Sequence, residues 1–147
     1  MARVLTSLKY GSFVYDFTID GGAVGTKQMG TFLPNNCVVW FGFADVITTV
    51  TSSGAAKISI GIAGAINNLL FNTTYTSFTT NAIIPGIDLL ASPVLIAIGG
   101  QLNITVVDFA LTAGKLIYWY AYTDSSIVFP VPQGIGAMII GSTFIVG

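Results

Sequence analysis

Few side chains in this sequence are suited to covalent chemistry, and their types limit what that chemistry is. There is no His and no Glu; the side chains charged at neutral pH are six Asp, four Lys and Arg3. A serine nucleophile needs a general base, and only Lys9, Lys27, Lys57 and Lys115 are available. No Ser-x-x-Lys spacing sits on a recognisable frame, so the lysines read as solvated positions on strand faces and turns. Paired carboxylates reduce to Asp16 and Asp20 at a strand–turn junction. Asp in a turn usually bonds its own backbone, and calcium asks for about six to eight oxygens. The pairs Gly21-Gly22 and Gly99-Gly100 precede strands, not helices, so they are not phosphate cradles. Trp40, Trp119, Tyr118, Tyr120 and Tyr122 have the ring chemistry of a sugar-stacking platform, but strand aromatics more often fill a core or an interface. Asn72-Thr73-Thr74 and Asn103-Ile104-Thr105 match the glycosylation sequon in a chain where Asn and Thr are abundant. The expectation is a non-enzyme with no catalytic residue, no metal and no cofactor.

The elements that would position such residues are strands. The apolar pattern has period two, and β-branched and aromatic residues dominate. Phe13, Tyr15, Phe17 and Ile19 alternate with Val14, Asp16 and Thr18, which predicts a strand with one buried face. A second strand is expected within Thr26–Phe32, after the Asp20-Gly21-Gly22 turn. Leu33-Pro34-Asn35-Asn36 turns into Cys37–Thr51, a long strand buried on both faces at its start, with Cys37 as a small core residue. Ser52-Ser53-Gly54 leads to Ala56–Ile62, read as the second arm of an antiparallel hairpin. Ala63–Phe71 is ambiguous between a helical turn and a loop, and Asn72–Thr80 between an edge strand and a loop. Ala82–Pro93 reads as a loop with apolar anchors. Val94–Ile98, Gln101–Val107 and Lys115–Tyr122 are strands, separated by turns at Gly99-Gly100 and Thr112-Ala113-Gly114. Asp124-Ser125-Ser126 is a polar break. This spacing predicts one all-β domain, an antiparallel β-sandwich of jelly-roll-like kind over residues 1–122, with an apolar C-terminal extension over 123–147.

Composition narrows the partners. Of 147 residues, 53% are apolar and only 7% charged, with a net charge of −1; an ordinary domain carries about 25% charged residues. Such a surface does not steer nucleic acid. Polarity comes from Ser, Thr, Asn and Gln, which suits a chain that buries a second surface against a partner. A membrane is not the expected partner. Ile127–Gly147 has no charge, but Pro130, Pro132, Gly134, Gly136 and Gly141 interrupt it, and no Lys or Arg flanks it. No signal-peptide core precedes Lys9 and Tyr10.

Several segments, in order, resemble tailed-bacteriophage virion β-sandwich proteins, of the capsid decoration (cement) or head-fibre type. They are Tyr15-Asp16-Phe17 through Gly21-Gly22-Ala23-Val24-Gly25, Leu33-Pro34-Asn35-Asn36-Cys37-Val38-Val39, Asp45-Val46-Ile47-Thr48-Thr49-Val50, Ala55-Ala56-Lys57-Ile58-Ser59-Ile60-Gly61, Pro93–Val106 and Leu111-Thr112-Ala113-Gly114-Lys115-Leu116-Ile117-Tyr118. The resemblance implies a sandwich on the virion, often trimeric, without a catalytic site. The expected function is a structural capsid decoration protein that binds and stabilises the phage head. Its partners would be the major capsid protein and sister copies in a homotrimer, with neither nucleic acid nor membrane, and it would sit on the capsid surface. The alternative is a head-fibre or tail-associated module that binds host glycans. The partner-facing residues are expected at Ile135, Met138, Ile139, Ile140, Phe144, Ile145 and Val146, which are too apolar for a free tail. Strand addition to a neighbour and closure of the chain's own sheet look alike in sequence, so this segment is either a docking arm or a closing strand.

Overall fold

The computed structural model describes residues 2–5, 8–87, 93–128, 137–140 and 143–146. Their strands are β1 (Ala2–Leu5), β2 (Lys9–Asp16), β3 (Gly25–Leu33), β4 (Cys37–Ser52), β5 (Lys57–Ile62), β6 (Ala65–Thr74), β7 (Ile83–Ile87), β8 (Val94–Ile96), β9 (Gly100–Val107), β10 (Leu111–Val128), β11 (Ala137–Ile140) and β12 (Thr143–Val146). One helical turn, α1 (Phe17–Asp20), and a 3₁₀ turn at Tyr75–Ser77 interrupt them.

Two antiparallel sheets pack face to face. In the larger, the long strands β10 and β4 are central; β2 and β1 line one edge of β10, and β7 and β8 line the far edge of β4. The smaller runs β3–β9–β5–β6. Between them Phe13, Tyr15, Val46, Leu116 and Tyr118 from the larger sheet meet Ile58, Ile60, Leu102, Ile104 and Val106 from the smaller, all in one buried cluster. The fold is therefore the all-β sandwich that the period-two pattern predicts.

Local chemistry explains where the chain departs from that pattern. The alternation at Phe13 and Tyr15 does not continue through Phe17 and Ile19. The Asp16 carboxylate accepts from the Thr18 N–H at 3.0 Å and its hydroxyl at 2.7 Å, which caps a helical turn, and Gly21 at φ 73° ends it. A capped turn satisfies N–H groups that a strand leaving its sheet would leave open. Ile19 is consequently 80% exposed.

Ser52-Ser53-Gly54 does not close a hairpin, because β4 is already paired on both edges. It carries the chain across to the smaller sheet, where β5 lies between β9 and β6. Gly99 and Gly100 likewise connect β8 on the larger sheet to β9 on the smaller. Asn67 to Leu70 lie within β6, which bulges between Ile60 and Ile62 of its partner. The Ala82–Pro93 stretch holds an edge strand, β7, where Pro85 is tolerated because a missing N–H faces outward. The Thr112-Ala113-Gly114 turn is a bulged stretch of β10, with Gly114 at φ 138°. Nor does β10 break at Asp124: it pairs with β4 as far as Cys37 and then with β1.

Candidate interaction surface

The four lysines are occupied by four of the aspartates, whereas the Asp45 carboxylate and the buried Asn103 amide have no such partner among the described residues. Every lysine is paired: Lys27 with Asp20 at 3.3 Å, Lys57 with Asp108 at 3.2 Å, Lys115 with Asp16 at 3.2 Å, and Lys9 with Asp124. None is positioned as a free base toward a serine. Asp16 and Asp20 do not converge on a shared cation site: the Asp20 carboxylate accepts the Asp16 backbone N–H at 2.9 Å, and each carboxylate faces its own lysine. The Thr18 hydroxyl, then its N–H, then Lys115 hold the Asp16 carboxyl below its ordinary value. A cleft of about 410 Å³ lies beside this corner, between Tyr15, Asp20, Lys27 and Ile104. Its Tyr15 hydroxyl donates to the Gly21 carbonyl at 2.7 Å.

The aromatic candidates do not share one surface. Tyr118 and Tyr120 point into the core with Phe13, and Tyr118 stacks on Phe13 with ring centroids 5.7 Å apart. Trp119 lies on the opposite face of β10, and the Trp40 indole N–H donates to the Thr123 hydroxyl at 2.8 Å. Burial pushes the Tyr15 and Tyr120 phenols up to about 12, and Tyr118 further in the same direction. The Cys37 thiol is pushed up to about 11, chiefly by burial and also by nearby Asp124. Asn103 is fully buried, so that sequon is closed in the folded chain.

The surface that stands out is the outer face of the larger sheet. Register places Ser12, Trp119, Phe43 and Pro85 in one row across β2, β10, β4 and β7. The next row is Val14, Ile117, Asp45 and Ile83, and beyond Trp119 lies Tyr10, Ala121 and Phe41. Apart from Ala121, which is fully buried, these positions alternate with the buried Phe13, Tyr15, Ala44, Val46, Leu116 and Tyr118 and point away from the core. Tyr10 is 71%, Ile83 56%, Val14 47% and Trp119 41% exposed; together those four leave on the order of 400 Å² of mostly apolar surface open to water. The Lys115–Asp16 pair and Thr48 border this face. An apolar centre inside a polar margin is the anatomy of a protein–protein contact.

The outer face of the smaller sheet is mixed in character: Phe32 on β3, beside buried Leu33, is 64% exposed and Phe71 on β6, beside buried Leu70, is 70% exposed, and hydroxyl and amide groups lie among them. Thr26, Thr105 and Ser59 lie in one row, with the Thr26 and Thr105 hydroxyls 2.9 Å apart and the Ser59 hydroxyl donating to the Asn72 side-chain carbonyl.

Of the residues expected to face a partner, Ile135 lies outside the described residues. Met138, Ile139 and Ile140 stand on β11, and Phe144, Ile145 and Val146 on β12. The two strands pair with each other, Met138 opposite Ile145 and Ile139 opposite Phe144, as a separate two-stranded sheet. Sequence reasoning missed the β2–β10–β4–β7 face. Its signal was present: Val14, Ile117, Trp119, Phe41 and Phe43 are apolar at positions that alternate with core residues, where a solvated sheet would carry polar side chains.

The fold and this face define an antiparallel β-sandwich with one apolar outer sheet. No protein-family model and no curated protein matches the sequence. Among solved structures, the fold is similar to a chain in the acidic stable capsid of Helicobacter pylori bacteriophage KHP30, with a TM-score of 0.61 and 10% identity over 86% of this chain and 98% of that one. It is similar to a chain of the cyanophage Pam1 capsid asymmetric unit (TM-score 0.59, 17% identity, 80% and 84% covered). A chain of the Ralstonia phage GP4 capsid is a third (TM-score 0.55, 14% identity, 82% and 86% covered). At these identities the likeness is one of fold.

Proposed function

We propose that this chain is a structural virion protein of a bacteriophage, a capsid decoration (cement) protein that binds and stabilises the head without catalysing a reaction. One observation carries the reading: its fold recurs in three phage capsids, in chains it matches over 98%, 84% and 86% of their length. Such coverage makes those chains sandwiches of about this size, as expected of an accessory component of a shell.

The mechanism is adhesion. Apolar burial contributes about 25 cal/mol per Å², less the entropy of ordering, so specific docking needs an interface of about 1,000 Å² or more. Repeated weak contacts on a symmetric shell then reinforce one another when copies are linked. In this reading the partner is the major capsid protein, the sister copies form a homotrimer, and the site is the capsid surface. The β11–β12 segment, with Met138, Ile139, Ile140, Phe144, Ile145 and Val146, adds a second contact.

Mass spectrometry of purified virions tests the proposal, together with heat-induced DNA release from heads prepared with and without the chain. The expected result is a structural component present in many copies, whose removal lowers the release temperature. Absence from the particle refutes the reading. Clusters of three copies around a three-fold axis in density of purified heads are expected for the homotrimer, and isolated single copies refute it.

A further inference from the structure

We infer that the apolar face formed by β2, β10, β4 and β7 docks on a different protein, not on a second copy of this chain, and that this partner supplies a lysine or arginine to Asp45. The inference rests on the head-binding reading and adds which face binds and what chemistry answers it.

Asp45 is the one charged residue in the three rows of this face, directly between Ile117 and Ile83. Its carboxylate makes no hydrogen bond or ion pair among the described residues, so in the free protein water solvates it. Any occupant of the face removes that water. A carboxylate buried without a partner costs several kcal/mol, so a purely apolar occupant is rejected. The occupant must carry a cation.

A second copy has little to offer. Its four lysines are already held by Asp16, Asp20, Asp108 and Asp124. Arg3 stands opposite Ile127 on β10, whereas Asp45 stands opposite Ile117; ten strand residues put them about 33 Å apart along the sheet. A two-fold pairing with these faces in register would therefore bury two unanswered carboxylates in one apolar interface. A second protein bearing a basic side chain in an apolar surround meets both demands. The smaller sheet is then turned away from the partner.

The test uses the full chain and heads purified without it, scored by co-sedimentation. The Asp45 side chain makes no hydrogen bond or ion pair among the described residues, so Asp45→Asn and Asp45→Lys should stay close to the wild-type unfolding midpoint. Asp45→Asn is expected to weaken head binding about thirty-fold, the equivalent of losing one buried charge partner, and Asp45→Lys further still. Thr74→Lys on the smaller sheet should change it less than about three-fold. If the wild type binds heads and Asp45→Lys binds equally well, the inference is overturned while the head-binding reading stands. If the wild type does not bind heads, the reading itself fails and the inferred partner with it. Dissociation of the free protein's oligomer by Trp119→Lys would show that sister copies cover this face. Capture of the wild type, but not Trp119→Lys, by neutral phosphatidylcholine vesicles would show that lipid does; either result overturns the inference.

Discussion

Substituting Gly42 by alanine should destabilise the sandwich through Tyr118, and the size of the effect follows from the packing around that ring. Tyr118 stands on β10, and its hydroxyl donates to the Leu69 carbonyl of β6 at 2.8 Å, linking the two sheets inside the core. A Cβ on Gly42 would lie 2.1 Å from that hydroxyl oxygen and 2.8 Å from the ring carbon bearing it. Neither separation is tolerable, so the ring must move and the inter-sheet bond is lost. Tyr118→Phe alone leaves the Leu69 carbonyl without this donor and should cost about 1–3 kcal/mol. Gly42→Ala alone adds overpacking to that loss, about 2–4 kcal/mol. With Phe already at 118, the 2.1 Å contact no longer exists and the 2.8 Å and 3.2 Å contacts to ring carbons remain, so Gly42→Ala should then cost about 1–2 kcal/mol. The two substitutions are therefore coupled by about 1 kcal/mol or more, against about 0.3–0.5 for independent sites. Urea unfolding of the four proteins, followed by the fluorescence of Trp40 and Trp119, measures the cycle. Additivity within 0.5 kcal/mol, or a Tyr118→Phe variant as stable as the wild type, would refute the account of Tyr118 as a strut between the sheets.

Other outcomes follow from the same structure. Gly114→Ala should cost about 1–3 kcal/mol by thermal or urea unfolding, since φ is 138° and the new Cβ would stand 2.7 Å from a Val50 methyl. An unfolded tyrosine ionises near pH 10 while folded Tyr15 and Tyr120 hold their protons to about 12. Stability is thus full below about pH 10 and falls as pH rises toward 12; Tyr15→Phe should flatten that fall in denaturation series across this range. At the acid end, Asp16 is held below its ordinary value, so its contribution persists above that value and is lost as pH falls through the depressed one; Asp16→Asn should reduce the acid sensitivity of unfolding. The buried Cys37 thiol should resist an aromatic disulfide reagent in the native protein and react at once in denaturant; rapid native labelling would contradict its burial.

The strands were legible because period two is a local property. Phe13 and Tyr15, or Leu102, Ile104 and Val106, announce a strand whatever its neighbour. Which sheet a strand joins is not local. The turns after Ser52 and at Gly99-Gly100 look like hairpin turns, yet both cross between sheets, because β4 meets its edge partners from β7, β8 and β10, far along the chain. Phe17 and Ile19 obey the alternation and still leave it, since the Asp16 cap outweighs a preference spread over two side chains. The docking face escaped notice for a related reason. Apolar residues on both sides of β4 and β10 suggest burial on both sides, and only register and exposure together show that, among the described residues, no second layer covers the row of Trp119 and Phe43. The apolar character of the C-terminal segment was legible; the pairing of Met138 with Ile145 and Ile139 with Phe144 needed the backbone.

The placement of β1 has a mechanical consequence. Ala2 stands opposite Val128, so the chain enters β1 and leaves β10 at the same corner of the larger sheet. A force drawing those two points apart would peel the short β1 ladder from β10 one pair at a time, a path of low resistance. A force pulling β10 lengthwise against β4 meets a different geometry. The ladder from Leu111 opposite Ser52 to Asp124 opposite Cys37 is loaded in shear, and its hydrogen bonds must yield nearly together. Stretched from its terminal corner against its docked face, the molecule would give way first at β1, a compliant leader, and hold at the β4–β10 seam.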